Sequence, residues 1–267
     1  MGSGGPMANV VELDRDGEVA IVTLNAPDRR NAVSLEARRL LLQALQECAG
    51  DPACRSIVLT GAGGHFCSGG EVKPTEGADS GPDPMRTRRN IGVLHDVVRL
   101  LAAGPKPTVA AVNGGAYGAG LSLAAACDHV VATPSARFCA SFGKIGLIAD
   151  AGLMWSLPNR VGMTAARNLL LTGRVISADE ALRLGLVDEA AEESDLLTTA
   201  VRAAQGLSKL APLAVAAMRH ILANARSSLE SVIAAETAMQ PMLTLTEDYV
   251  EGRAAFKDRR PPRFRGL

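Results

Sequence analysis

The chain has 267 residues, 47% hydrophobic and 21% charged, which suits an ordinary globular domain, or a core plus an appendage, large enough to bury a substantial core. Twenty-eight Lys+Arg balance 28 Asp+Glu, so the charge gives no reason to expect a nucleic-acid or membrane partner. The cysteines (Cys48, Cys54, Cys67, Cys127 and Cys139) are odd in number without a Cys-x-x-Cys pair, and the four histidines are scattered, which argues against a disulfide framework and a metal centre.

In chain order, Met1 to Pro6 reads as a flexible tail before a start at Met7, and no secretory leader is recognisable. With thiols expected to be reduced, the cytoplasm is the expected compartment. Val10–Leu13 and Val19–Leu24 flank Asp16-Gly17, a strong hairpin signal. Leu35 to Ala49 carries apolar residues at helical spacing behind Ser34 as N-cap. Ser56–Thr60 is a short β-rich run that enters a glycine loop, 61–70, and residues 74–84 predict a mobile loop. A helix over Met85–Ala103 should stop at Gly104-Pro105 before a strand at Thr108–Val112. Thr108 to Ala126, the most apolar stretch, is interrupted by Asn113 and four glycines and reads as buried strand, turn and helix, not a membrane span. Ser177 to Glu180 is a capping box opening a helix that closes near Gly185. Helices are then expected at 196–210, 213–225 and 229–245, the last kinked or broken by Pro241. The alternation of strand, loop and helix predicts an α/β core over 7–195, with a helical region over 196–267.

Two glycine clusters each follow a predicted strand: Gly61 to Gly70, and Asn113 to Gly120. Such loops let backbone approach a ligand closely, and two of them can each aim one N–H at a single oxygen. A donor of that kind is worth roughly 3 kcal/mol of transition-state stabilisation. The plainer alternative is that the glycines only permit tight turns and close packing. Neither cluster is a dinucleotide or Walker fingerprint. Gly120-Leu121-Ser122-Leu123-Ala124 nearly matches a nucleophile elbow, but a serine hydrolase needs a downstream histidine, and only His129 and His220 follow.

The order and spacing of further motifs are specific. Asn25-Ala26-Pro27-Asp28-Arg29-Arg30-Asn31-Ala32, His65 to Lys73, Lys106-Pro107-Thr108-Val109-Ala110-Ala111-Val112-Asn113-Gly114, and Leu169 to Gly173 followed by Ser177 to Ala181 resemble successive motifs of the enoyl-CoA hydratase/isomerase (crotonase) family, from about Val10 to Leu267. The resemblance implies a crotonase-like spiral of ββα repeats with a C-terminal helical oligomerisation region that builds a homotrimer or hexamer. It implies an acyl-CoA substrate, with coenzyme A as part of the substrate and no separate cofactor. It also implies the N–H groups of Gly70 and Ala119 as an oxyanion hole. Coenzyme A would lie along the first loop, by Ser68 and Gly70, with Arg29 or Arg30 and Lys257 near its phosphates.

The chain departs from the hydratase pattern where hydratases carry two glutamates, because Ser122 and Phe142 stand there. Neither is a general base at neutral pH. Instead Gly146-Leu147-Ile148-Ala149-Asp150-Ala151-Gly152 resembles the Gly-Leu-x-x-Asp-x-Gly segment of isomerase members, in which the Asp is the base. Lys144, the Trp155–Leu157–Pro158 segment and Gly118-Ala119-Gly120 are most similar to the epoxyphenylacetyl-CoA isomerase branch. Asp150 is therefore expected to be the catalytic base of a double-bond isomerase, against the alternative that it only caps a helix. Ser122 and Tyr117 are read as pocket wall. The competing expectations are a hydratase that draws its acid from Glu71 or the 74–84 loop, and a protein that binds CoA esters without turnover.

Overall fold

The computed structural model describes residues 9–71, 83–224 and 228–267. The expected tail at Met1 to Pro6 and start at Met7 lie outside them, as does most of the predicted 74–84 loop. Strands β1 (Val11–Asp16) and β2 (Val19–Leu24) form the expected antiparallel hairpin, with Asp16 opposite Val19. Helix α1 (Leu35–Gly50) starts where Ser34 accepts a hydrogen bond from the Ala37 N–H at 3.2 Å. Strand β3 (Ser56–Gly61) follows, then α2 (Pro84–Ala103), begun by Asp83, whose carboxylate accepts from the N–H groups of Met85 and Arg86. Pro84 suits the first turn, where its missing N–H costs nothing.

From β4 (Thr108–Val112) the chain passes through β5 (Gly115–Tyr117) into α3 (Ala119–Ala126), the buried strand, turn and helix that the apolar run predicts. Strands β6 (His129–Ala132) and β7 (Arg137–Cys139) precede α4 (Leu153–Thr172), which is broken at Gly162. Strand β8 (Val175–Ser177) leads to α5 (Ala178–Leu184), capped by Ser177 through the Glu180 N–H and closed by Gly185 in the left-handed region. After β9 (Glu189–Ala190) come α6 (Leu196–Leu207), α7 (Pro212–Asn224), α8 (Leu229–Leu243) and α9 (Glu247–Asp258). Pro241 does not break α8. It sits in the last turn and the helix ends two residues later, so only a terminal bond is lost.

One sheet runs in the order β1-β2-β3-β4-β6-β9, parallel from β2 onward, and a second in the order β5-β7-β8. The chain thus climbs from one sheet to the other and back, which is the spiral that the family resemblance implies. Side chains alternate between two cores along each central strand. Ile57 and Leu59, Ala110 and Val112, and Val130 and Ala132 face the core shared with α1 to α4. Val58, Val109, Ala111 and Val131 face the other way, against Leu196, Ala200, Val201 and Ala204 of α6. A sheet buried on both faces accounts for strands that read as continuous apolar runs. Among the described residues no helix is long and apolar enough to cross a membrane.

Asn31, 1% exposed, is the polar knot of this framework. It has φ +55, a left-handed conformation that Asn tolerates better than most residues. Its Oδ1 accepts from the Ala26 N–H at 2.8 Å, and its Nδ2 donates to the carbonyls of Ala62 (2.9 Å) and His65 (2.6 Å). Asn31→Ala would strand one donor and two acceptors in the interior. The expected cost is about 2–4 kcal/mol, read as a lower denaturation midpoint with the fold retained.

Candidate active site

The two glycine clusters leave the carboxyl ends of β3 and β4, which are adjacent parallel strands, so they emerge side by side. They are then zipped together by backbone. Phe66 N–H donates to the Asn113 carbonyl (2.8 Å), Cys67 N–H to Gly115 (2.9 Å), and Tyr117 N–H to Cys67 (2.9 Å). The approach is close enough that a Cβ at Gly120 would run into the Cys67 carbonyl. Gly69, at φ +107, carries the chain past the Tyr117 carbonyl; a Cβ there would lie 2.9 Å from that oxygen and 3.7 Å from the Ala119 nitrogen. The Gly69–Gly70 peptide therefore runs alongside the start of α3. No backbone acceptor meets the N–H of Gly70 or of Ala119 among the described residues. Ala119 opens α3, where N–H groups have no partner within the helix and face outward with the positive end of its dipole.

The Asn25-to-Ala32 segment closes on the first loop from the other side. Val33 N–H donates to Gly69 (2.8 Å), Ser68 N–H to the Arg30 carbonyl (2.9 Å), and the Ser68 hydroxyl to the Arg29 carbonyl (3.3 Å). Arg29, Arg30, Ser68 and Gly70, singled out separately in the sequence, are thus neighbours. Lys257 is on α9, in a cavity of about 830 Å³ that it shares with Tyr249, Arg253 and Phe256 and that none of Gly70, Ala119 or Asp150 lines. Within one chain it stands apart from the glycine loops.

Asp150 precedes Ala151 and Gly152, both at positive φ, in the turn that starts α4. It does not cap that helix: Gly152 holds the N-cap position and no side chain serves it. The Asp150 Oδ1 is buried without a hydrogen-bond partner among the described residues. Burial pushes the carboxyl above the ordinary Asp range, and the positive charges of Arg38 and, less strongly, His95 oppose that shift without cancelling it. Sequence reading missed both residues, since Arg38 is one of several charges on α1 and His95 a lone histidine on α2.

Ser122 is more than pocket wall. It is fully buried, and its hydroxyl lies 3.3 Å from the Gly118 carbonyl and 3.1 Å from the Asp150 carbonyl, fastening the Asp150 turn to α3. The serine-hydrolase alternative loses its nucleophile to these contacts. His129 lies instead near Asp188 and Glu189, and His220 is exposed on α7 beside Asn224. Phe142 is buried, with its ring edge 3.9 Å from the Cβ position of Gly118, an apolar wall where a hydratase carries acid. The Glu71 side chain is 40% exposed and faces Arg29 at 3.7 Å. Among the described residues no group of three His, Cys, Asp or Glu side chains could hold a metal ion.

The raised Asp150 carboxyl has a consequence for stability. The folded chain binds that proton more tightly than the unfolded chain does, so ionisation costs stability above the folded-state pKa. That cost disappears as the pH falls through it. Asp150→Asn, which cannot ionise, is expected to melt at a higher temperature than the wild type at neutral pH, and the difference should shrink on acidification in a thermal-denaturation series.

Comparison with known proteins identifies the family to which this fold belongs. The sequence model of the enoyl-CoA hydratase/isomerase family matches residues 14–266. The chain is 34% identical to the 1,2-epoxyphenylacetyl-CoA isomerase of Escherichia coli over 249 residues, 93% of this chain and 95% of that protein. It is 36% identical to the (E)-benzylidenesuccinyl-CoA hydratase of Thauera aromatica, over 96% of this chain and 99% of that one. The crystal structure of an enoyl-CoA hydratase from Polaromonas sp. JS666 superposes with a TM-score of 0.88 at 36% identity, covering 96% of this chain and 99% of that chain. Motifs, spiral fold and full-length similarity agree, and the chain belongs to the enoyl-CoA hydratase/isomerase family.

Proposed function

We propose that the protein is an acyl-CoA double-bond isomerase that works through a thioester enolate with Asp150 as its one base. The observation that carries this reading is the Asp150 carboxylate, half-buried, with one oxygen unpartnered and its affinity for protons raised. The N–H groups of Gly70 and Ala119 receive the thioester oxygen as negative charge develops on it. Asp150 takes a proton from C2 of a 3-enoyl chain, leaving a dienolate. It returns a proton at C4, so the double bond moves from C3–C4 to C2–C3. One carboxyl serves both halves, because the base of the first step is the acid of the second. Ser122 keeps the Asp150 turn in place through its carbonyl. No cofactor is needed beyond the coenzyme A of the substrate, which runs along Ser68 and Gly70 with Arg29 and Arg30 near its phosphates.

The similarity to the Escherichia coli isomerase supports this reading, whereas the Thauera relative is named a hydratase. The hydratase alternative lacks the two carboxylates at Ser122 and Phe142, and Glu71 faces Arg29. We also infer a cytoplasmic homotrimer or hexamer, built through the helical region 196–267. Met218, Leu222, Leu229, Ile233, Met242 and Phe256 on α7 to α9 are exposed, at 46% to 89%, which is an apolar surface that a monomer does not favour. Lys257, on the same helices, would then meet coenzyme A in the assembly.

Incubation with a 3-enoyl-CoA in deuterated water, followed by mass spectrometry, tests the reaction. The expected product is the 2-enoyl ester with no mass gain from added water, and efficient hydration would overturn the isomerase reading. Asp150→Asn should lower turnover by about 10³-fold while CoA-ester binding persists. The base must be ionised to start the reaction, so kcat/KM should fall as the pH drops through the raised Asp150 pKa. The acid limb is expected above the ordinary Asp range, and a limb within that range would count against Asp150.

A further inference from the structure

We propose that Arg160 is a positioning residue for the reaction: its guanidinium clasps the carboxyl end of α3 to α4 and so fixes the Ala119 N–H relative to Asp150. This rests on the reading of Ala119 as an oxyanion donor and of Asp150 as the base.

The donor and the base sit on different elements, the first residue of α3 and the turn that leads into α4. Their separation is therefore set by how those two helices are held together. At the site end the tie is the Ser122 hydroxyl, 3.1 Å from the Asp150 carbonyl. At the other end it is Arg160. Its Nε donates to the Ala125 carbonyl at 3.2 Å and its Nη2 to the Cys127 carbonyl at 2.6 Å. These carbonyls belong to the last turn of α3 and its C-cap, where the helix itself offers no donor. A cation there also answers the negative end of the α3 dipole. The third nitrogen, Nη1, donates to the Asp188 carboxylate at 2.9 Å and the Leu186 carbonyl at 3.3 Å. Every nitrogen of the guanidinium is thus engaged, and the side chain is only 12% exposed. Asp188 is itself held by the Val130 N–H of β6 at 2.7 Å, so the clasp is anchored to the sheet.

The first half of α4 needs such a hold. Pro158 has no N–H to return to the preceding turn, and at Gly162 the backbone leaves the helix, at φ +76 and ψ 159. The stretch 153–161 is therefore a short rod that the second half of α4 does not steady. Leu153 and Leu157 are fully buried along it, but apolar burial is non-directional, and the hydrogen bonds at its two ends set its position along α3. Helix α3 is buried at every residue and about 12 Å long. So short a helix moves as one body, and a shift at its carboxyl end reaches Ala119.

A merely stabilising contact would lower the melting temperature and leave turnover of the folded protein alone. Arg160→Met removes both charge and fork, and Arg160→Lys keeps the charge but does not span both carbonyls. Asp188→Asn weakens the ion pair and leaves the fork on α3. The full chain, these variants and Asp150→Asn are assayed for kcat and KM with a 3-enoyl-CoA, below their melting temperatures. Infrared difference spectra of a bound saturated acyl-CoA with an isotope-labelled thioester carbonyl, which has no double bond to move, report the oxyanion hole without turnover. The expected kcat is lower by about a hundred-fold in Met and about ten-fold in Lys, with KM near the wild-type value. The carbonyl stretch, lowered on binding to the wild type, should move back towards its free value in both. Asp188→Asn should melt earlier yet keep the wild-type kcat and stretch. Wild-type kcat and stretch in Met and Lys overturn the positioning role. An equal loss in Asp188→Asn overturns it too, leaving Arg160 a stabilising contact only. An unshifted carbonyl in the wild type overturns the oxyanion hole instead, and full activity in Asp150→Asn overturns the base. Where Met does not fold, Lys decides by the same two readings.

Discussion

The active region depends on a short parallel zipper of backbone hydrogen bonds between two loops. Residues 66–67 exchange three bonds with Asn113, Gly115 and Tyr117, and this pairing brings Gly70 beside the start of α3. The bonds are peptide to peptide, so their precision comes from the adjacency of β3 and β4 and from the absence of side chains where the loops touch. Gly114 against the Gly64 carbonyl and Gly120 against the Cys67 carbonyl are such contacts, each too close for a Cβ. Asn31 supports the arrangement from behind by holding the Ala62 and His65 carbonyls, and thus the whole 61–70 loop, at fixed depth. Holding two N–H groups from a loop and a helix start side by side costs conformational freedom, and a rigid sheet buried on both faces supplies the constraint.

In the proposed isomerase, the chemistry on this platform comes down to the competition around one carboxyl group. Burial raises the Asp150 pKa, Arg38 and His95 lower it, and burial wins. The outcome suits a group that must both remove and return a proton, since a fully solvated carboxylate is too weak a base and a fully isolated one would stay protonated. The unpartnered Oδ1 is part of the same design: a hydrogen bond there would stabilise the ion and make it less basic. The fold tolerates this cost because the Asp150 carbonyl is anchored twice, by the Ser122 hydroxyl and by the Leu153 N–H.

The C-terminal helices divide into two kinds. Helix α6 completes the sheet's second core and is inseparable from the spiral. Helix α7 is tied to the core by Arg219, 6% exposed, which pairs with Asp128 at 2.9 Å and donates to the carbonyls at the end of α2, Leu101 and Gly104 among them. A cation on those carbonyls answers the negative end of the α2 dipole. Beyond this clamp α8 and α9 bury little of their own apolar surface: no residue of α8 is buried, and on α9 only Asp248 and Ala255 are. Their apolar side chains remain for another surface.

The sequence by itself determined the local elements and the family. Ser34, Asp16-Gly17, Ser177 and Gly185 mark their turns and caps because such signals act over three or four residues. The motifs around Asn31, Gly70, Asn113 and Gly173 repeat in an order that chance does not produce. The sequence also singles out Asp150 as the candidate acid, since Ser122 and Phe142 leave the usual positions without one. Tertiary structure alone decided the rest. Short strands such as β5, β7 and β9 have too few residues to show a period and exist only through their partners. The part played by Ser122 lies 28 residues away in sequence, and Arg38, His95 and Asp150 come from three different helices or their approaches. Charge and desolvation act through space, so a carboxyl's environment is fixed by the groups that packing brings around it and not by its neighbours along the chain.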